Sequence, residues 1–191
     1  MKSFHQKVYL VRHGETEWTI AKKHTGLTDI PLTDEGRLQA EWLKGKLEDK
    51  KFKKVFCSSL ERARETCKIA GFSKEAIIDE DLLEWNYGDY EGKTLAEIHE
   101  TDPKWTIFSK GAPNGESLGD IATRANRVIS RVRDIPGDVA LFSSGHFSRA
   151  LAARWLQLHV AEGRLFLLST ASISILGYEH ETPVLVTWNE T

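Results

Sequence analysis

Lys7-Val8-Tyr9-Leu10-Val11-Arg12-His13-Gly14-Glu15-Thr16 is the stretch on which the reading of the whole chain turns. Val8 to Val11 is a short apolar run of β-branched and aromatic side chains, the composition of a buried strand. It ends abruptly in a cation, an imidazole and a glycine. Open α/β sheets place their ligand crevice at the carboxyl ends of strands, so such a strand delivers Arg12 and His13 into a crevice. Gly14 permits a sharp turn and the close approach of a ligand. A neutral imidazole nitrogen is a competent nucleophile towards phosphorus, and arginine offers a permanently charged planar fork that matches phosphate oxygens. The tripeptide points to phosphoryl transfer. The competing reading is a strand that ends at the surface with both side chains solvated.

Working outward, Val55 to Cys57, Ala76 to Ile78 and Val139 to Phe142 have the same strand-like composition. Helices fall between them. One starts at the N-cap Thr33, with Asp34 and Glu35 in its first turn and Leu38, Trp42 and Leu47 on its apolar face. A second runs from Leu60 to Ala70 and stops at Gly71. Short helices fit Thr94 to Glu100 and Pro103 to Ser109, with a loop from Gly111 to Gly115. Ser117 caps a long helix to Arg133 with Leu118, Ile121, Ala122, Ala125, Val128, Ile129 and Val132 on one face, and Pro136-Gly137 ends it. Another helix spans Phe147 to Leu158. Leu165 to Leu168, Ser172 to Tyr178 and Val184 to Trp188 read as closing strands, with a turn at Glu181-Thr182-Pro183. Alternating strands and helices predict an α/β fold: one domain over residues 1–191, a three-layer sandwich whose mainly parallel sheet carries helices on both faces.

Composition narrows the partners. At 191 residues with 40% hydrophobic and 28% charged content, the chain is an ordinary globular length and mixture. A net charge of −2 provides no global field for nucleic acid or an anionic membrane. The six lysines between Lys44 and Lys54 have a single aromatic among them, Phe52, too few for a base-stacking platform, and so read as a solvated helix end and loop. No apolar run approaches the ~20 residues needed to span a bilayer. Lys2 is followed by His5, Gln6 and Lys7, which break any signal-peptide core. Cys57 and Cys67 fall on a strand and a helix, as reduced buried thiols do. These features predict a cytoplasmic protein, monomer or homodimer, that binds neither nucleic acid nor membrane.

The polar residues at strand ends converge in this architecture: Arg12 and His13, then Ser58, Ser59 and Arg62, then Glu84, then Ser144 and His146. Arg62 lies in the first turn of a helix, where the dipole disfavours a cation unless an anion is present. Arg64 faces elsewhere and reads as a surface residue. Glu84 precedes Trp85 and Tyr87, a setting that suits a general acid for a leaving alkoxide; the alternative is a loop carboxylate in a salt bridge. His24, before Thr25-Gly26, is placed to line a pocket rim, while His5, His99, His159 and His180 read as surface or packing residues. With no HExxH and no Cys/His cluster at ligand spacing, no metal and no cofactor are implied.

Arg12-His13-Gly14-Glu15-Thr16, Thr25-Gly26-Leu27-Thr28-Asp29-Ile30-Pro31-Leu32-Thr33, Ser58-Ser59-Leu60-Glu61-Arg62-Ala63 with Glu65-Thr66, Glu84 to Gly92, and Asn114-Gly115-Glu116-Ser117 together resemble the histidine phosphatase superfamily, also called phosphoglycerate mutase-like, over nearly the whole chain. The resemblance implies that His13 is the nucleophile that becomes a phosphohistidine. It implies that Arg12 and Arg62 hold the phosphoryl oxygens and that Glu84 donates and accepts the proton. It also implies that Thr25 and Gly26 line the phosphate pocket, that Tyr87 contacts substrate and that Arg149 reaches it. Arginines then supply the charge stabilisation that Mg²⁺ supplies elsewhere.

Three departures from the family pattern bear on activity. Thr19 stands where asparagine is common, although a hydroxyl can still donate to a phosphate oxygen. Lys93 comes too early for the lysine of true mutases, and no paired arginines follow it, which favours a phosphatase. Ser144-Gly145-His146-Phe147-Ser148-Arg149 has Ser144 where the family's second catalytic histidine stands, with His146 two residues later. Losing one preorganised donor costs about 3–4 kcal/mol at the transition state. Glu84-Trp85-Asn86-Tyr87-Gly88-Asp89-Tyr90-Glu91-Gly92 is similar to the corresponding segment of the sugar bisphosphatase branch, sedoheptulose-1,7-bisphosphatase-like. The expected activity is a metal-independent phosphatase acting on a sugar phosphate or bisphosphate, weakened by Ser144. A phosphoglycerate mutase and a catalytically weak phospholigand-binding module are the rivals.

Overall fold

β1 (Val8–Arg12) is buried on both faces, as a central strand of a helix-covered sheet must be. Val8 and Leu10 point into one apolar cluster, Tyr9 and Val11 into another. The computed structural model describes residues 6–191, so the expectations for Lys2 and His5 lie outside the described residues. After β1 come α1 (Glu17–Ile20), α2 (Asp34–Leu47), β2 (Lys54–Cys57), α3 (Glu61–Ile69), β3 (Ala76–Ile78), α4 (Leu95–His99), α5 (Ile107–Lys110), α6 (Leu118–Arg133), β4 (Val139–Ser143), α7 (Gly145–Trp155), β5 (Ile173–Glu179) and β6 (Thr182–Glu190).

The strands form one sheet in the order β3-β2-β4-β1-β5-β6. β1, β2, β3 and β4 run parallel, β5 is antiparallel to β1, and β6 is antiparallel to β5. One face packs α6 and α7 against Val8, Leu10, Val139 and Leu141. The other packs α2 and α3 against Tyr9, Val11, Ala140 and Phe142. This is the expected three-layer α/β arrangement. β1 and β4 lie side by side, with Arg12 paired to Ser143, so the segments leaving their carboxyl ends, 13–16 and 144–149, emerge next to each other.

Five expectations need correction. Pro103 to Ser109 becomes helical only at Ile107, where the short α5 begins and runs to Lys110. Leu165 to Leu168 is no strand. A 3-10 turn ends at Leu165, and the Leu168 carbonyl accepts from Arg12 Nη1 instead of a sheet neighbour. The β5–β6 turn is His180-Glu181, with Thr182 and Pro183 already in β6; that strand is an edge, where proline removes no ladder bond. Leu38 is 64% exposed, because α2 buries the row Gly36, Ala40, Leu43 and Leu47. α7 begins at Gly145, two residues before the expected Phe147. The long helix follows expectation: Ser117 Oγ accepts from the Asp120 N–H, and Asp120 reaches back to the Ser117 N–H. Cys57 and Cys67 are free and buried.

Candidate active site

Gly14 is required for a reason other than a turn. A Cβ there would run into the backbone of Gly36, and one on Gly36 would run into that of Glu15, so the start of α2 closes directly over the segment after β1. Thr66 on α3 ties it from the other side, accepting from the Gly14 N–H at 3.1 Å. His13 is thereby held at 3% exposure.

The His13 ring has a defined tautomer. Nδ1 lies 2.7 Å from the Gly14 carbonyl, which can only accept, so Nδ1 carries the proton and Nε2 keeps its lone pair. Burial, reinforced by the Arg62 and Arg12 charges, pushes the His13 pKa well below the usual histidine value. The imidazole is therefore neutral, the state a nucleophile needs.

A cavity of about 190 Å³ opens at the carboxyl ends of β1 and β4, lined by Arg12, His13, Thr19, Thr25, Glu84, Tyr87, Gly145, His146, Arg149 and Leu168 together with Lys22, Lys23 and His24. Of the residues singled out from the sequence, Arg12, His13, Thr19, His24, Thr25, Glu84, Tyr87, Gly145, His146 and Arg149 thus share one cavity, while Ser58 and Ser59 do not line it. Arg62, Gly26 and Ser144 lie immediately behind it. Arg62 is fully buried, its Nη1 and Nη2 donating to the carbonyls of Thr25, Gly26 and Thr28 while its Nε has no partner. It holds the backbone of Thr25, Gly26 and Thr28 in place and adds charge behind His13. Gly26 sits where a Cβ would strike Glu91 and Trp85, and its N–H donates to Glu91 Oε1. Arg12 faces the cavity with Nη1 on the Leu168 carbonyl and Nε unpartnered. Burial lowers the pKa of both arginines, an effect that Glu84 opposes most strongly.

Thr19 differs from expectation in chemistry. Its hydroxyl donates to the Thr16 carbonyl at 2.8 Å and accepts from the Thr16 N–H at 2.9 Å, closing the cap of α1. The proton expected for a phosphate oxygen is already engaged.

Glu84 is held by three backbone donors. Oε1 accepts from Trp85 and Phe147, both at 2.8 Å, and Oε2 from His146 at 2.9 Å. Two of these belong to the first turn of α7, so the carboxylate caps that helix where a negative charge is favoured. This arrangement accounts for Ser144. It occupies the N-cap position, yet the N–H groups that its side chain would bind are taken by Glu84. Its Oγ is buried and has no partner.

At the rim, Tyr87 Oη and His146 Nδ1 are hydrogen-bonded at 2.5 Å. Burial, then Arg149, keeps the His146 pKa well below its usual value, and burial with Glu84 raises that of Tyr87. His24 stacks on His146 and meets Tyr87 and Trp105 edge-on. Among the described residues no three His, Cys, Asp or Glu side chains converge as metal ligands. No helix among them is long and apolar enough to cross a membrane.

Two groups of residues escaped the reading of the sequence. Lys22 and Lys23 line the cavity, but neither sits in a recognisable motif. Arg124 and Glu116 buttress Glu84: Arg124 grips both Glu116 oxygens and donates to the carbonyls of Asp81, Leu83 and Glu84. An arginine in the middle of an amphipathic helix carries no local signal that its partner is a loop.

The chain is 43% identical over 180 residues to an acid phosphatase of Mycobacterium tuberculosis, covering 91% of this chain and 87% of that protein. It is 29% identical to the sedoheptulose 1,7-bisphosphatase of Saccharomyces cerevisiae, covering 94% and 90%. The solved structure of an open reading frame product from Mycobacterium tuberculosis superposes with a TM-score of 0.93 at 39% identity, covering 97% of this chain and 98% of that one. Residues 8–191 match the family model of the histidine phosphatase superfamily (branch 1), and the chain belongs to that family.

Proposed function

We propose that the protein is a metal-independent phosphatase that cleaves a small phosphorylated metabolite, a sugar phosphate or bisphosphate, through a phosphohistidine at His13. One observation carries this reading: a buried, neutral imidazole whose Nδ1–H is fixed on Gly14 lines a cavity together with Arg12, with Arg62 behind it. His13 Nε2 attacks phosphorus, and the bond to the leaving oxygen breaks as Glu84 delivers a proton to it. Glu84 then takes a proton from water as that water attacks the phosphohistidine, returning His13 and releasing phosphate. Arg12 neutralises the phosphoryl oxygens directly, and Arg62 adds charge from behind the wall. The 43% identity to an acid phosphatase supports hydrolysis over mutase chemistry.

Ser144 favours a second reading, a phospholigand-binding module with little turnover, because a buried hydroxyl supplies no charge where the family pattern has an imidazole. The deciding experiment measures phosphate release from a panel of sugar phosphates and bisphosphates with EDTA present, using the protein itself, Ser144→His and His13→Ala. Turnover by the protein that disappears in His13→Ala supports the phosphatase. Turnover only by Ser144→His supports the binding module. Activity that survives in His13→Ala overturns the phosphohistidine mechanism.

A further inference from the structure

The cavity carries more positive charge than one phosphoryl group uses. Arg12 and the buried Arg62 flank His13. Lys22, Lys23 and Arg149 line the same wall, against Glu84 as the one lining carboxylate. Among the described residues none of these three cations has a carboxylate at ion-pair distance. Among these residues Arg149 donates to the carbonyls of Gly163 and Arg164 and lies over the face of Phe108, while Lys23 lies over the Trp18 ring and acts on Glu97 only at longer range. Burial lowers the Arg149 pKa, and the Glu84 charge across the cavity opposes this only in part. The chain as a whole is net negative, so this concentration of cations is local.

Lys22 has a second peculiarity. α1 ends in a Schellman motif: the Lys23 N–H bonds the Trp18 carbonyl at 2.9 Å and the Lys22 N–H the Thr19 carbonyl at 3.3 Å. Lys22 occupies the left-handed position of that motif, with φ of 54°. Glycine is the residue that fits there without strain. A lysine is held in a glycine position at the one point from which its side chain reaches the cavity.

We propose that Lys22, Lys23 and Arg149 form a second anion subsite at the mouth of the cavity, which takes a phosphate or carboxylate on the leaving half of the substrate. This rests on the phosphatase reading above and narrows it to substrates with two anionic groups. Arg12 and Arg62 serve the phosphoryl group that is transferred. The mouth cations hold the other end and orient the leaving oxygen towards Glu84.

The test uses Lys22→Gly, because glycine relieves the backbone while removing the charge. Binding of a hexose bisphosphate and of the matching hexose monophosphate is measured by calorimetry in a His13→Ala background, where turnover cannot interfere. The bisphosphate is expected to bind about tenfold more tightly, the effect of one well-placed charge pair. Lys22→Gly is expected to shrink that ratio several-fold, with a melting temperature equal to or above that of its parent. Arg149→Gln shrinks it further, and added salt does the same. Equal affinity for the two ligands, or a ratio that persists in Lys22→Gly, overturns the subsite and leaves the phosphatase reading intact. Failure of both ligands to bind overturns the subsite and the phosphatase reading together.

Discussion

Arg124 holds Glu116 by both carboxylate oxygens, at 2.9 and 2.7 Å, directly beneath the backbone that carries Glu84. The same guanidinium lies over the Phe147 ring at 4.5 Å, and the Phe147 N–H is one of the three donors to Glu84. Glu116 in turn accepts from the Asn86 N–H, so one ion pair ties α6 to both sides of the proposed proton donor. Arg124→Met leaves Glu116 half-buried without its partner and three carbonyls without a donor. The expected loss is about 3–5 kcal/mol of stability, read from urea midpoints. In the folded fraction, kcat falls more than KM rises, since the ion pair touches Glu84 and not the substrate.

Ser144→His is expected to raise phosphate release by about 10²–10³-fold, the value of one preorganised donor at a transition-state oxygen. Ser144 Oγ makes no hydrogen bond, so the substitution breaks none, but the residue is fully buried and an imidazole there must displace its neighbours. The expected cost is about 1–3 kcal/mol of folding stability. Thermal melts compared with rates on one sugar phosphate separate the gain in chemistry from the loss of folded protein.

The residues around His13 were legible because each stands at a strand end or in a short motif whose chemistry is local. Arg12, His13, Glu84 and Arg149 all reach the cavity. Arg62 was legible as a residue of the site but not as a fully buried one, since its partners are the carbonyls of Thr25, Gly26 and Thr28, more than thirty positions away. Lys22 was illegible because its place depends on a four-residue helix capped by Thr16 and Thr19, which is too short for periodicity to reveal. Leu165 to Leu168 misled because an apolar run looks the same whether it pairs in a sheet or wraps a site, and Arg12 takes one of its carbonyls.

Tyr87→Phe removes the hydrogen-bond partner of His146 Nδ1 and leaves the ring free to hold its proton on either nitrogen. The expected cost is about 1 kcal/mol of stability, with KM rising several-fold because Tyr87 and His146 both line the cavity. Nitrogen NMR of the imidazoles checks the cause: the parent shows one His146 tautomer, and Tyr87→Phe shows a mixture. A single unchanged tautomer in Tyr87→Phe means that the hydroxyl does not set the ring.

The buried histidines set the response to acid. Burial lowers the pKa of both His13 and His146 well below 6.5, with arginine charges adding to the effect at each. As pH falls through 6.5 the unfolded chain takes up protons that the folded one refuses, so unfolding gains free energy. Stability fully present above 6.5 is lost as pH drops from there towards the lower folded-state values, at up to about 1.4 kcal/mol per pH unit for each group. Urea midpoints compared between about pH 7 and about pH 5 measure the slope, which His146→Gln is expected to reduce. His13, as the proposed nucleophile, behaves differently over the same interval. Because folded His13 stays neutral well below 6.5, the acid limb of kcat/KM lies below the ordinary histidine pKa, and the enzyme works in a range where its folding stability is already declining. An acid limb centred at 6.5 would mean that His13 is solvated in the working enzyme.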